Sequence, residues 1–302
     1  MKNFIAISIF FIGTIAIAQE TIRLNLEVGK TYTLDLVNTS EIKQVVAGMP
    51  QDVTTTMTSS TDYVVTGMKG KDYMIDIVPT ASKTEQKTSM GSIVTDSNGP
   101  DSNPMNRIMK NLTNRSMKVV MTPQGKVVSF DFNGYTDKLM DGVEMEDMQK
   151  LQIEGMMKEQ INAEKMQKSY SEAFTSYPTG KVAVGDEWKT TYSSDIVIPM
   201  ETKLTNTLKE STPSSFIIES MGTLSTNGET ETQLMGMAAK ADIQGDVKSM
   251  ITIDKKTGWI SKATTTTTSK GYMKMAAGGP GTPEMKIDMD ATSVAEYATP
   301  KK

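Results

Sequence analysis

The sequence predicts an α+β protein in which β-structure dominates. The expected architecture is a long, curved antiparallel sheet, a half-barrel or open barrel with an internal duplication, and one long helix packed on it. Three observations lead to this fold class: stretches in which apolar and polar residues alternate, two landmarks that recur in the same order, and one long segment without proline. Strands of this length twist, and a curved sheet must bury one of its faces.

Alternation of apolar and polar residues, the period of a half-buried strand, marks several stretches of the chain. Its apolar members include Ile22, Leu24, Leu26 and Val28 near the start, Tyr73, Ile75 and Ile77 further on, and Met285, Ile287 and Met289 near the end. Threonine runs such as Thr264–Thr268 indicate the solvent face of an antiparallel sheet, because threonine is both β-branched and polar. A flexible linker is the alternative for that run, but its position directly after Trp259–Ala263 favours a strand.

Two landmarks occur once in each half of the chain. Val28–Tyr32 corresponds to Val184–Trp188, and each opens a strand-like stretch with an aromatic residue at the same place. Val119–Val127 corresponds to Met250–Ile260, and both predict strand, glycine-containing turn, strand. The expected organisation of residues 19–302 is therefore one β-rich domain made of two related halves, about 20–135 and 180–298, joined by a helical segment at about 136–177.

Two segments depart from the strand pattern. Residues Met105–Leu112 predict a short helix, with Asn103 as its cap and Pro104 in its first turn. The segment from about Asp137 to Ser176 contains no proline and predicts the long helix, which Tyr177–Gly180 ends. This helix carries apolar residues on two roughly opposite sides, so we expect both sides to be covered, or one to be open to a ligand or partner. The candidate residues for lining an apolar site are Met148, Leu151, Met156, Met157, Ile161 and Met166.

The amino terminus predicts export. Lys2 precedes the apolar stretch Phe4–Ile12, and an Ala16-x-Ala18 ending follows, so we expect a signal peptide at residues 1–18 that is cleaved before Gln19. The apolar stretch is shorter than the roughly 20 residues that span a bilayer, and no later segment reaches that length. We therefore expect a mature chain without a transmembrane anchor, in the periplasm or outside the cell. It is not expected to be a lipoprotein, because Gln19 stands where the lipidated cysteine would be.

The chain contains neither histidine nor cysteine. This composition excludes Ser-His and Cys-His nucleophiles, His- or Cys-ligated metals, redox pairs and disulfides. A net charge of −4 and a pI of about 5.2 argue against nucleic-acid binding. The 25 methionines could in principle bind Cu(I), but they occupy positions where leucine would serve as core filler. We therefore expect no cofactor, no metal and no catalysis.

The predicted signal peptide, Val184–Trp188 and the late turn Thr257–Trp259 together resemble a bacterial family of exported proteins that carry a domain of unknown function. The resemblance covers most of the mature chain, and its motifs are short and structural, so it implies no catalytic residues. At the level of architecture, the expected sheet with helices is similar to the half-barrel carriers of lipoproteins and lipids. That similarity implies a lipid or another apolar ligand.

The sequence leaves three functional hypotheses open. The first is non-catalytic binding or carriage of an apolar or amphiphilic ligand in the cell envelope. The second is a structural or interaction module that binds an envelope protein and no small ligand. The third is an enzyme that uses Asp, Glu, Lys or Tyr, for which no residue spacing argues.

Overall fold

A computed structural model of the protein describes residues 19–46, 48–160, 166–167, 170, 177–194, 198–234, 237–276 and 284–300. The predicted signal peptide lies outside these residues and stays a prediction. Within them the chain forms thirteen strands and two helices. The strands are β1 (Thr31–Val46), β2 (Met49–Lys69), β3 (Asp72–Thr88), β4 (Gly91–Asp96), β5 (Met117–Met121), β6 (Val127–Asp131), β7 (Glu187–Ser194), β8 (Met200–Ser211), β9 (Ser215–Ser225), β10 (Thr230–Leu234), β11 (Met237–Asp254), β12 (Ile260–Ala276) and β13 (Glu284–Ala298). The helices are α1 (Pro104–Leu112) and α2 (Asp147–Gln160).

All thirteen strands belong to one antiparallel sheet. Its order is β6-β5-β3-β2-β1-β13-β12-β11-β9-β8-β7, with β4 paired to β3 and β10 paired to β11 beside this path. Because β6 and β7 are the two edges, the sheet does not close on itself. The prediction of a mostly β protein with a large, open antiparallel sheet is confirmed.

The sheet has a concave face and a convex face. Residues of β1, β2, β7, β8, β9, β11, β12 and β13 line one common space, so the sheet curves around it. The convex face carries ion pairs such as Lys270–Asp290 (3.1 Å) and Lys286–Asp288 (2.7 Å), together with exposed apolar side chains such as Met221 and Met250. Exposed pairs of this kind add little stability, and their presence marks the face that meets water.

Three glycines on the concave face accompany the curvature. Gly222, Gly245 and Gly271 lie on a diagonal across β9, β11 and β12. A Cβ atom at these positions would come within 1.8, 2.1 and 2.0 Å of a carbonyl oxygen on a neighbouring strand. No side chain fits so close to a neighbouring backbone, and glycine within a strand often marks such a bend. The tight curve of this part of the sheet therefore depends on residues without side chains.

The main apolar cluster lies at the end of the sheet where β1 begins. There the ring of Trp259 packs on Tyr32 and Tyr63, with ring centroids 5.2 and 5.0 Å apart. The stretch of alternating residues from Ile22 predicted a strand, but the structure has an extended segment that is not part of the sheet ladder. Ile22 and Leu24 of this segment are buried in the cluster, which explains the alternation.

The paired landmarks of the two halves make the same backbone contacts. The amide of Gly29 donates to the carbonyl of Val65 (2.7 Å), and the amide of Gly185 donates to the carbonyl of Leu208 (2.8 Å). Both glycines have positive φ, +83° and +94°, which suits a turn that only glycine adopts without strain. The turns at 122–126 and 254–259 likewise close with the equivalent amide-to-carbonyl bond, 2.9 and 2.8 Å long. That the halves arose by duplication stays a prediction.

The helical predictions are partly corrected. Helix α1 forms as predicted, and the Asn103 carboxamide oxygen accepts from the Met105 amide at 3.0 Å. The long helix does not begin near Asp137, because residues 134–142 form successive turns and α2 starts only at Asp147. Gly134 and Gly142 adopt positive φ there, which is incompatible with a continuous helix. Beyond α2, residues 166, 167 and 170 are helical, and the remainder of 161–176 lies outside the described residues.

Candidate functional site

The concave face and two helical residues line a partly open cavity of about 520 Å³. Met166 and Tyr170 face the sheet, and the Tyr170 ring stacks on Phe130 of the edge strand β6 with centroids 5.7 Å apart. The cavity volume lies within the range of roughly 300–1,000 Å³ that is typical of small-molecule sites. The lining residues are Leu34, Leu36, Met57, Ser59, Thr61, Tyr63, Met166, Tyr170, Tyr192, Leu204, Ser220, Val247, Ser249, Ile251, Ile260, Ala263, Thr265, Ala295 and Tyr297.

The walls of the cavity are largely apolar. Leu34, Leu204, Val247 and Ile251 are buried side chains that the strand alternation points to the concave face. Their neighbours along each strand point to the convex face, so the cavity lining comes from every second residue of the sheet. Small side chains such as Ala295 leave the space that bulkier residues would fill.

A row of hydrogen-bonded polar side chains crosses this apolar surface. Asn206, Ser220, Ser249 and Thr265 lie opposite one another on β8, β9, β11 and β12, and we call them the polar ladder. Ser220 Oγ donates to Asn206 Oδ1 at 2.6 Å, and the side-chain amide nitrogen of Asn206 (Nδ2) donates to Thr190 Oγ1 at 3.1 Å. The hydroxyls of Ser249 and Thr265 lie 2.7 Å apart. These mutual bonds satisfy polar groups that would otherwise be costly to bury.

The described part of the lining carries no formal charge. None of the residues found around the cavity is Asp, Glu, Lys or Arg, and the titratable groups among them are tyrosines. Burial raises the pKa of Tyr63, and the nearby Tyr297 raises it further. Burial also raises the pKa of Tyr170 and of Tyr297. Because the ordinary tyrosine pKa is already about 10, these phenols stay protonated at neutral pH.

The structure separates the residues that the sequence proposed for the site. Met166 lines the cavity, and Met157 packs against the main apolar cluster. Met148 and Leu151 are 78% and 66% exposed, so they do not line the cavity. The reason is the orientation of α2, which turns its other apolar side toward the main cluster through Ile153 and Met157. The side chain of Met156, and Ile161 as a whole, lie outside the described residues, so these two stay predictions.

The sequence interpretation missed that the site is built mainly by the sheet. Thr264–Thr268 were assigned as a group to the solvent face, but only alternate members of a strand share a face. In the structure Thr265 faces the cavity, and Thr266 faces the convex side. The alternation around Leu34 and Val247 was the available signal, although it does not reveal which strands lie side by side.

Other kinds of site have less support within the described ranges. Those residues include no group of three or more carboxylates that could hold a metal ion. Among them, neither helix has the length and apolar character needed to cross a membrane.

Residues 70–260 match the family of unknown function DUF6263. The chain belongs to this family. The match runs from the start of β3 to the first residue of β12 and includes the cavity residues of β7, β8, β9 and β11. No curated protein matches the chain.

Solved structures offer only distant likenesses. Lipovitellin, from a study of its lipid–protein interactions, is 9% identical with a TM-score of 0.47 over 92% of this chain. The chain spans only 26% of that lipovitellin chain. An outer membrane channel from Pseudomonas putida F1 is 7% identical with a TM-score of 0.24, over 91% of this chain and 97% of the channel. At these TM-scores the likenesses carry no argument about this protein.

Proposed function

We propose that the protein is an exported, non-catalytic binding protein that holds an apolar or amphiphilic ligand between its curved sheet and the helical segment. The observation that carries the proposal is a cavity of about 520 Å³ whose described lining residues are uncharged and largely apolar. Apolar side chains that line a partly open cavity remain in contact with water, which is unfavourable. A ligand that fills the space removes this apolar surface from water.

The chemistry of the lining favours binding over catalysis. Its hydroxyls belong to serine, threonine and tyrosine, and the lining residues that the structure describes include no carboxylate or amine to act as a general base. Burial raises the pKa of the Tyr63 and Tyr170 phenols. Both phenols therefore stay protonated at neutral pH and provide no phenolate that could act as a base. The functional role that remains for these groups is hydrogen bonding.

A matched pair of variants tests the proposal. Ala295 lines the cavity, whereas Ala298 is exposed three residues later in the same strand. Ala295→Trp should fill the cavity and weaken binding of the neutral fluorophore N-phenyl-1-naphthylamine at least tenfold, measured by fluorescence titration. Ala298→Trp should bind the fluorophore as the unaltered chain does. If the unaltered chain does not bind it, or if both variants bind equally well, the proposal is wrong.

Export is tested separately by the intact mass of the protein recovered from the cell envelope or the medium. Cleavage before Gln19 predicts a mature chain that begins at that residue. A chain that retains Met1 and stays in the cytosol would contradict export.

A second candidate function is an interaction module of the envelope. It is favoured by the β3–β4 hairpin, which exposes Met90 and Ile93 by 90% and 69%. Exposed apolar groups of this kind often mark protein contacts. Replacing both with serine should abolish a specific pull-down from envelope extract if this candidate is right, and should leave fluorophore binding unchanged.

A further inference from the structure

Resting on the proposed binding function, we infer that the ligand is neutral and carries a hydroxyl or carbonyl group that hydrogen-bonds the Ser249–Thr265 pair. The ligand class is then a long-chain alcohol or ester, and neither an ionised fatty acid nor a charged phospholipid head belongs in the cavity.

The Ser249–Thr265 pair has hydrogen-bonding capacity left for a ligand. Ser249 and Thr265 both line the cavity, and their oxygens are 2.7 Å apart. Each hydroxyl has one hydrogen to donate and two lone pairs that accept. One hydrogen is used between the two groups, so the pair keeps one hydrogen and further lone pairs. It can donate to a carbonyl, and it can donate to and accept from an alcohol.

The hydroxyl pair lies between two rows of the sheet that contribute apolar residues to the cavity. The neighbouring row of the sheet on one side of the pair contains Leu204, Gly222, Val247 and Thr267, of which Leu204 and Val247 line the cavity. The row on the other side contains Ile251 and Ala263, which both line it. Apolar residues therefore flank the pair on both sides within the cavity. A ligand in the cavity can therefore place apolar groups along both rows and its polar group between them, at the hydroxyl pair.

The described lining residues provide no counter-charge for an ionised ligand. Among the described lining residues an ionised carboxylate would find only neutral donors, so the loss of its hydration in the cavity would be costly. The tyrosines Tyr63, Tyr170 and Tyr297 remain uncharged at neutral pH and provide no compensating cation. A neutral alcohol or ester pays no such penalty and can still use the hydroxyl pair.

The test compares dodecanol with dodecanoate in displacing N-phenyl-1-naphthylamine from the purified chain at pH 8. Dodecanol should displace the fluorophore at a concentration at least tenfold lower. In the double variant Ser249→Ala, Thr265→Val, the affinity for dodecanol should fall about three- to tenfold, which corresponds to one or two neutral hydrogen bonds. Fluorophore binding itself should persist, because the fluorophore depends on the apolar walls.

Two further variants make the comparison specific. Thr266→Val changes the next residue of β12, which faces the convex side, and should leave dodecanol binding unchanged. Thr265→Ser, with Ser249 unchanged, keeps a hydroxyl at position 265 and should retain most of the affinity for dodecanol. Equal displacement by dodecanoate and dodecanol, or an unaffected double variant, would overturn the inference and leave the binding function standing. Absence of fluorophore binding in the unaltered chain would overturn both.

Discussion

The two faces of the sheet use the same strands for different purposes. Thr265 and Thr266 are neighbours in β12, yet one contacts the cavity and the other faces the solvent side. The convex face carries Lys270, Asp290 and other charged groups in exposed ion pairs, whereas the described cavity lining contains no charged residue. Register across the sheet, more than local composition, therefore decides which residues can bind a ligand.

The largest expected difference between the faces concerns folding. Gly245→Val places a Cβ 2.1 Å from the Thr268 carbonyl oxygen, so the strands must move apart and the curve of the sheet is disturbed. We expect a loss of about 3 kcal/mol or more in the free energy of unfolding, measured by denaturant titration. The control is Gln244→Val on the exposed side, for which the change should stay within about 0.5 kcal/mol. Equal effects in the two variants would contradict the assignment of faces.

The next difference separates two methionines of the helical segment. Met166→Glu introduces a carboxylate into the uncharged cavity and should weaken binding of the neutral fluorophore at least tenfold. Met148→Glu changes a side chain that is 78% exposed, so fluorophore binding and melting temperature should both remain unchanged. If only the Met148 variant lost binding, the site would lie on the exposed side of α2.

A third prediction uses pH to test the neutrality of the concave face. If only the protonated form of dodecanoic acid enters the cavity, its apparent affinity falls about tenfold for each pH unit above its pKa in water. The apparent affinity falls as the pH rises because the bound acid holds a proton that free dodecanoate has lost. Dodecanol should show no such dependence between pH 6 and about pH 9, since burial raises the pKa of the cavity tyrosines Tyr63 and Tyr297 and keeps them protonated. A pH-independent affinity for the acid would show that a cation reaches it.

The smallest effect is expected on the convex face. Lys270→Gln removes an ion pair whose lysine side chain is 79% exposed, and such pairs contribute little in water. The melting temperature and fluorophore binding should not change measurably. A clear loss of stability would mean that the convex face is covered by another molecule in solution.

Part of this architecture could be predicted from the sequence because it depends on local patterns. Alternating apolar residues indicate strands whatever their partners are, and Asn103 followed by Pro104 indicates the start of a helix. The two turn landmarks are also local, since Gly29 and Gly185 are needed at positive φ.

The site could not be predicted in the same way, because it depends on contacts between distant strands. Ser249 and Thr265 meet through the pairing of β11 with β12, while Leu36 approaches them only because β1 pairs with β13. The sequence proposed both Met148 and Met166 as lining residues, but the packing of the segment determines which of them faces the sheet. The structure places Met166 at the cavity and leaves Met148 exposed.

The most direct test of the account is a crystal structure of the mature chain soaked with a bromine-tagged dodecanol at a saturating concentration. Anomalous scattering locates the bromine without assumptions about the rest of the ligand. We expect a bromine peak within the cavity between Met166 and Ala295, with the alcohol oxygen within hydrogen-bonding distance of Ser249 or Thr265. A bromine peak confined to the convex face or to the exposed side of α2, or an empty cavity in a saturated crystal, would contradict it.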